Sequence, residues 1–192
     1  QVERLSPDER FILEAASVVG VEFATLAVAD AVGKEELWVE EYCERLARRG
    51  QFIRPLTLTA WPDGSLTMRY QFSHALYQNV VYDRVGAARR VRFHQRIGER
   101  EERAYGERAS ERAVELARHF ELGRDGQRAV RYLQQAGELA LHRCANQEAI
   151  GHLTKGLVLL QSLPETPDRA QQELFLHAAL GPAVMAVKGY AS

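Results

Sequence analysis

Residues 52–56, Phe52-Ile53-Arg54-Pro55-Leu56, and residues 66–72, Leu66-Thr67-Met68-Arg69-Tyr70-Gln71-Phe72, read as two strands joined across Trp61-Pro62-Asp63-Gly64. Each turn residue has a reason to be there: proline fixes φ, aspartate bonds its own backbone, and glycine takes positive φ. Three helical patterns precede this hairpin. Ser6-Pro7-Asp8-Glu9 is a helix start on three counts. Ser6 can cap, Pro7 suits the first helical position, and Glu9 completes a capping box. That helix carries Phe11, Ile12, Ala15 and Ala16 and stops near Gly20. A second, Thr25 to Val32, ends at Gly33. A third, Glu35 to Arg49, carries Leu37, Trp38, Tyr42 and Leu46 at helical spacing and ends at Gly50. Three helices followed by a β-hairpin predict a winged-helix domain over residues 1–84.

From Ser73 onward the pattern is helical, with segments His74–Arg84, Ala87–Tyr105, Ala109–Leu122, Gln127–Arg143, Gln147–Leu163 and Asp168–Val187. The breaks fall at Gly86, Gly106, Gly123-Arg124-Asp125-Gly126, Asn146 and Pro164-Glu165-Thr166-Pro167. An internal repeat lies in this half. Ala129-Val130-Arg131-Tyr132-Leu133 aligns with Ala149-Ile150-Gly151-His152-Leu153 at an offset of 20, and the match continues as Ala136 with Gly156 and Leu139 with Leu159. Ala117, Ala129, Leu133 and Ala136 follow the small–small–large–small spacing of a tetratricopeptide repeat, although Leu141 stands where its terminal proline is usual. The fold class expected is therefore mainly α. The winged helix is followed by a degenerate, TPR-like helical repeat domain over residues 85–192, truncated at its C-terminus.

Charge divides at the same place. Residues 1–83 carry 8 basic and 13 acidic side chains, net −5, whereas residues 84–192 carry 17 and 13, net +4. The whole chain of 192 residues has a net charge of −1, with 46% hydrophobic and 27% charged residues, ordinary values for a chain that buries a core. The two cysteines, Cys43 and Cys144, form no C-x-x-C, which excludes a disulfide framework or zinc knuckle and points to a reducing cytoplasm. Gln1-Val2-Glu3-Arg4 has no apolar core or cleavage site and is not a signal peptide. The longest uncharged run, Leu174 to Val187, is 14 residues and too short to span a bilayer, so no membrane partner is expected. Lacking an initiator Met, the chain is expected to be a piece of something larger.

Catalytic motifs are missing. Gly33-Lys34 is followed by Glu35 rather than Ser or Thr, with no glycine five residues before Gly33, so the phosphate-binding cradle fails. There is no G-x-G-x-x-G, H-E-x-x-H or G-x-S-x-G. The six histidines (His74, His94, His119, His142, His152, His177) never pair at i,i+4. No catalytic residue and no metal ligand is assigned, and the piece is not expected to be an enzyme.

A winged helix invites a DNA-binding reading, which requires basic flanks around the third helix. Here that helix carries Glu35, Glu36, Glu40, Glu41 and Glu44, with Lys34, Arg45, Arg48 and Arg49 only at its ends, so nucleic acid is not the expected partner. Arg89, Arg92, Arg96, Arg100 and Arg103 share one helix face. They read first as a solvated stripe relieved by Glu99, Glu101, Glu102 and Glu107, and second as a surface for phosphate or an acidic partner, with the acidic first half or a neighbouring domain ahead of nucleic acid. The most distinctive stretch is Arg69-Tyr70-Gln71-Phe72-Ser73-His74-Ala75-Leu76-Tyr77-Gln78-Asn79-Val80-Val81-Tyr82. A strand ends at Phe72, Ser73 can cap, and His74 falls in the first turn of a helix whose Leu76 and Val80, with Tyr77 and Val81, are expected to face inward. A histidine there can meet an anion together with free backbone N–H groups, or serve as a buried, hydrogen-bonded joint.

That stretch, the opening Glu9-Arg10-Phe11-Ile12-Leu13-Glu14-Ala15-Ala16-Ser17-Val18-Val19-Gly20-Val21-Glu22-Phe23, and Ala47-Arg48-Arg49-Gly50-Gln51-Phe52-Ile53 resemble bacterial signal-transduction ATPases with numerous domains, the STAND class. They are similar in particular to large ATPases joined to class III adenylate/guanylate cyclases or to serine/threonine kinases. The resemblance runs over essentially the whole chain, including Lys188-Gly189-Tyr190-Ala191. It implies an upstream nucleotide-binding module in the same chain, then this winged helix, then a helical-repeat arm meeting a protein or small-ligand effector. It further implies that His74 stands where the family's MHD-type histidine approaches the β-phosphate of ADP and holds the inactive state. Ala75 replaces the acidic residue that follows in the plant motif. ATP/ADP and Mg belong to the parent protein and no cofactor to this fragment. The alternative from a different class is a DNA-binding transcription-regulator domain with a helical dimerisation arm.

Overall fold

The computed structural model describes residues 5–189. The chain divides into two compact units, one reaching to Gly106 and one starting at Glu107.

The first unit begins with the capping box read from the sequence. Before α1 (Pro7–Val19), the Ser6 hydroxyl accepts from the Glu9 N–H at 3.2 Å, and the Ser6 N–H donates to Glu9 Oε2 at 2.9 Å. Arg49 holds the other Glu9 oxygen at 2.8 Å. Burial pushes the Glu9 carboxyl up, but the Ser6 N–H and Arg49 outweigh it and keep it below its ordinary value. After α1 come β1 (Glu22–Ala24), α2 (Thr25–Val32), α3 (Glu36–Arg48), β2 (Ile53–Ala60), β3 (Leu66–Phe72), α4 (Ala75–Arg84) and α5 (Ala87–Tyr105). The sheet is antiparallel with order β1-β3-β2, and Phe23 faces Tyr70 while Ile53 faces Phe72. The ladder between β2 and β3 is irregular between Pro55 and Leu58, where proline has no N–H to donate.

One apolar core joins these elements. Ile12, Leu13, Val18, Val28, Val39, Cys43, Leu46, Phe23 and Phe72 are buried in it. So are Phe93 and Ile97 of α5, and the Phe93 ring lies 5.7 Å from that of Phe11. The sequence placed the division after residue 84; α5 instead packs on α1 and α2 and belongs to the first unit.

A 3-10 segment (Gly106–Arg112) leads into the second unit, whose described elements are all helices: α6 (Ala113–Leu122), α7 (Gly126–His142), α8 (Asn146–Gln161) and α9 (Pro167–Gly189). The α-helix expected from Ala109 begins only at Ala113, because Arg112 at its N-cap sits at φ −111 and ψ 20, outside helical geometry. Asp125 caps α7, its Oδ1 accepting from the Arg128 N–H at 3.0 Å. Successive helices pack in turn, α6 on α7, α7 on α8 and α8 on α9. The repeat-aligned pairs Ala129/Ala149, Leu133/Leu153 and Ala136/Gly156 are all buried. Val130, Leu153, Leu160 and Leu176 form the centre. The helix α9 continues through Pro182; Tyr190 and Ala191 of the closing motif lie outside the described residues. Among the described residues, the chain is mainly helical with one small three-stranded antiparallel sheet, and no helix is long and apolar enough to cross a membrane.

Candidate functional site

Where β3 ends, the Phe72 N–H bonds Val21 O and the Ser73 N–H bonds Phe52 O, each at 2.8 Å, so the chain leaves the sheet from a fixed point. The N-cap of α4 is His74, not Ser73. Its backbone is extended, φ −144 and ψ 140, and its carbonyl accepts from the Tyr77 N–H at 3.0 Å. No side chain caps this end of the helix. The His74 residue is exposed, its ring 6.2 Å edge-on from Tyr77, which in turn meets Phe52 at 5.5 Å. His74 is therefore not a buried joint. An exposed imidazole stands at the start of a helix whose first two N–H groups, those of Ala75 and Leu76, have no acceptor within the helix, a pairing able to meet a negative ligand.

The face α4 buries matches the expected one at Val81 and Tyr77 and departs from it at Leu76 and Val80. Leu76 is 68% exposed and Val80 is also exposed, whereas Gln78 and Val81 are buried. Gln78 wins an inward position because its Nε2 donates to Ser17 O at 2.6 Å, supplying the polar partner burial requires. Leu76 and Val80 are left on the surface near His74 in sequence.

The exposed face of α3 is formed by Leu37, Glu41, Glu44, Arg45 and Arg48. Its basic members are engaged within the unit: Arg48 pairs with Glu44 at 3.1 Å, Arg45 lies 3.9 Å above the Tyr42 ring, and Arg49 beyond the helix holds Glu9. Inside, Thr25 donates to Glu36 Oε1 at 2.8 Å and lies 3.1 Å from the Thr67 hydroxyl, which accepts from the Leu26 N–H at 3.1 Å. Thr67 of β3 thus serves the start of α2 in the absence of a side-chain cap of its own. Partial burial and the neighbouring charge of Glu36 raise the pKa of Glu40.

A raised folded-state pKa stabilises the fold while Glu40 is protonated, and that contribution is lost as pH rises through it. Glu40→Gln is expected to stabilise the chain at neutral pH by about 0.5–1 kcal/mol, from relief of like-charge pairs at i,i+4 spacing with Glu36 and Glu44. Parent and variant should converge at acid pH. Thermal unfolding at both pH values measures this, and a variant less stable at neutral pH would refute it.

The α5 arginines meet the acidic first half, one of the two readings of their stripe. Arg89 pairs with Glu14, Arg103 with Asp30 at 3.2 Å, and Arg96 donates to Ala31 O at 3.0 Å. Arg100 is the hub: it reaches Asp30 at 3.1 Å, Asp63 at 2.8 Å and the Ser65 hydroxyl at 3.0 Å, with its guanidinium 4.7 Å above the Trp61 ring. Hydrogen bonds from the Ser65 hydroxyl and Arg100 pull the Asp63 carboxyl down to about 2. The hairpin turn is thereby fastened to α5.

His94 and His119 are buried, His94 lying 3.2 Å from the Tyr82 hydroxyl, and burial pushes the Cys43 thiol up to about 12. Cys144 is exposed. Among the described residues, no group of three or more His, Cys, Asp and Glu side chains is placed to hold a metal. No family model, curated protein or solved structure matches the chain.

Proposed function

We propose that the chain is a non-catalytic regulatory segment of a STAND-class signalling ATPase, working in the cytoplasm. In this reading a winged helix followed by TPR-like repeats couples nucleotide state in an upstream module to a protein or small-ligand effector. The observation that carries the reading is the exposed His74 imidazole at the uncapped start of α4. A nucleotide phosphate brought there would find a charge-assisted donor and free N–H groups, and releasing it would remove that bond. ATP or ADP with Mg would be bound by the upstream module, with His74 as this chain's contribution. The helix–strand order of the first unit and its sheet order β1-β3-β2 support the winged-helix assignment. Burial at the repeat-aligned positions supports the TPR-like one.

The second reading, a DNA-binding regulator with a helical dimerisation arm, draws support from the same helix–strand order. The outer face of α3 opposes it: Glu41 and Glu44 balance Arg45 and Arg48, Arg48 pairs with Glu44 and Arg45 lies over the Tyr42 ring, so the helix offers no basic excess to two phosphate rows. Duplex DNA is therefore expected to bind weakly and without sequence preference. A mobility-shift assay near physiological salt tests this, and nanomolar, sequence-dependent binding would put the regulator reading first.

A further inference from the structure

The strand β2 forms one edge of the sheet, and among the described residues no strand pairs with its outer side. The Trp61 N–H donates to Ser65 O at 2.8 Å, toward β3. Backbone N–H and C=O groups change sides at each residue of a strand, so Thr59 also faces β3 while Leu58 and Ala60 turn theirs outward. The irregularity between Pro55 and Leu58 bounds this stretch on one side, and Pro62 bounds it on the other. Sheet edges are ordinarily blunted by charge, by proline or by a covering element. Here no charged residue stands between Arg54 and Asp63, and Leu58 and Ala60 are exposed.

The two faces of the hairpin end differ. Thr67 meets the start of α2, and Arg100 of α5 covers Trp61 and Ser65 on the same side. The other face carries Leu58 opposite Met68 and Ala60 opposite Leu66. It continues outward from the buried Tyr70 and Phe72 by the strand period, yet its last members are bare, Leu58 at 58% and Leu66 at 59% exposure. A second copy of β2, antiparallel and related by a two-fold at Thr59, completes both the edge and the face. Leu58 of each copy then pairs with Ala60 of the other, which satisfies the outward N–H and C=O groups of both residues. The same register seats each Leu58 over the small Ala60 and beside Leu66 of the other copy, closing an apolar row across the join. Large-Thr-small, Leu58-Thr59-Ala60, is thus its own complement. The flanking charges, Arg54 and Asp63, are opposite in sign, and the two-fold brings the end carrying one beside the end carrying the other, so no like charges meet. Both are already engaged, Arg54 by Gln71 and Asp63 by Arg100 and Ser65, and no bond between copies is drawn from them.

We propose that β2 is a self-association edge, at which two copies of this chain join their sheets in antiparallel register about Thr59. The site is independent of the role given to His74. The contact is small beside a standard interface, so a dimer with a dissociation constant of about 1–100 μM is expected. Sedimentation equilibrium of the full 192-residue chain measures it. Leu58→Lys and Ala60→Glu should each weaken the dimer at least tenfold, and each should keep the parent's melting temperature because both positions are exposed. An equimolar mixture of the two variants should dimerise again, since the register sets Lys against Glu in one pair and leaves the other pair native. A parent that stays monomeric at about 200 μM overturns the self-association and leaves the edge to a different extended strand. Dimers that persist unweakened in Leu58→Lys, or a mixture that stays monomeric, overturn the pairing about Thr59.

Discussion

Ile97→Ala is expected to destabilise the first unit by about 2–5 kcal/mol, the range for removing a fully buried aliphatic side chain and leaving a cavity. Ile97 is 0% exposed, and α5 carries it, with Phe93, into the core formed by α1, α2 and the sheet. Against a typical domain stability of about 5–15 kcal/mol the loss is large. The variant also discriminates between two places for the helix. If α5 belonged with the repeats, the hairpin and α1–α3 would melt as before while the second unit weakened. Chemical denaturation followed through Trp38 and Trp61, the chain's two tryptophans, reports the first unit alone. An unchanged tryptophan transition in Ile97→Ala would contradict the position of α5.

Gly137→Val should have the next largest effect on stability, a loss of about 1–3 kcal/mol from overpacking. A Cβ at Gly137 would stand 2.6 Å from both Cγ and Cδ2 of Leu153, whose side chain is fully buried and has nowhere to retreat. The gain in helix propensity on leaving glycine, under ~1 kcal/mol, is too small to offset this. Gly151→Ala provides the contrast. Nothing lies within 4 Å of its Cβ position on α8, so propensity alone acts and the variant should gain up to about 1 kcal/mol. Thermal unfolding of the pair reads the α7–α8 approach directly. Equal stabilisation by both substitutions would mean that the two helices do not meet at Gly137.

The sequence carried the elements whose own residues determine them. Thr25–Val32, Leu66–Phe72 and Ala87–Tyr105 have the bounds that periodicity, turn residues and glycine stops indicate, and the Ser6–Glu9 capping box forms. What it did not carry are features decided by another part of the chain. The strand β1 has three residues, too few to show a period, and exists because β3 pairs with it. Thr67 serves the start of α2 from 41 residues away, a contact with no local signature. The inward face of α4 is set by the Ser17 carbonyl, which draws Gln78 in and leaves Leu76 out. The charge step near residue 84 was read as a boundary, yet opposite charge on adjacent segments is also what attracts them. Arg89, Arg100 and Arg103 pair with Glu14, Asp30 and Asp63, so complementarity joins α5 to the acidic half. The His74 position reads from the sequence as either an anion-facing or a buried residue, and the structure leaves it exposed at the N-cap of α4.

The proposed coupling role rests on whether His74 meets a nucleotide phosphate, and His74→Ala in the polypeptide that carries the nucleotide-binding module measures it. Because His74 is exposed and its side chain makes no capping hydrogen bond, the substitution should leave the melting temperature essentially unchanged. Loss of a charge-assisted hydrogen bond to phosphate removes ~1.5–3 kcal/mol, so ADP affinity should fall tenfold or more and the inactive state should be released. Titration of ADP by calorimetry, beside a melting curve of the same variant, gives both quantities. Weakened ADP binding at constant melting temperature is the predicted result; unchanged ADP affinity would contradict the account.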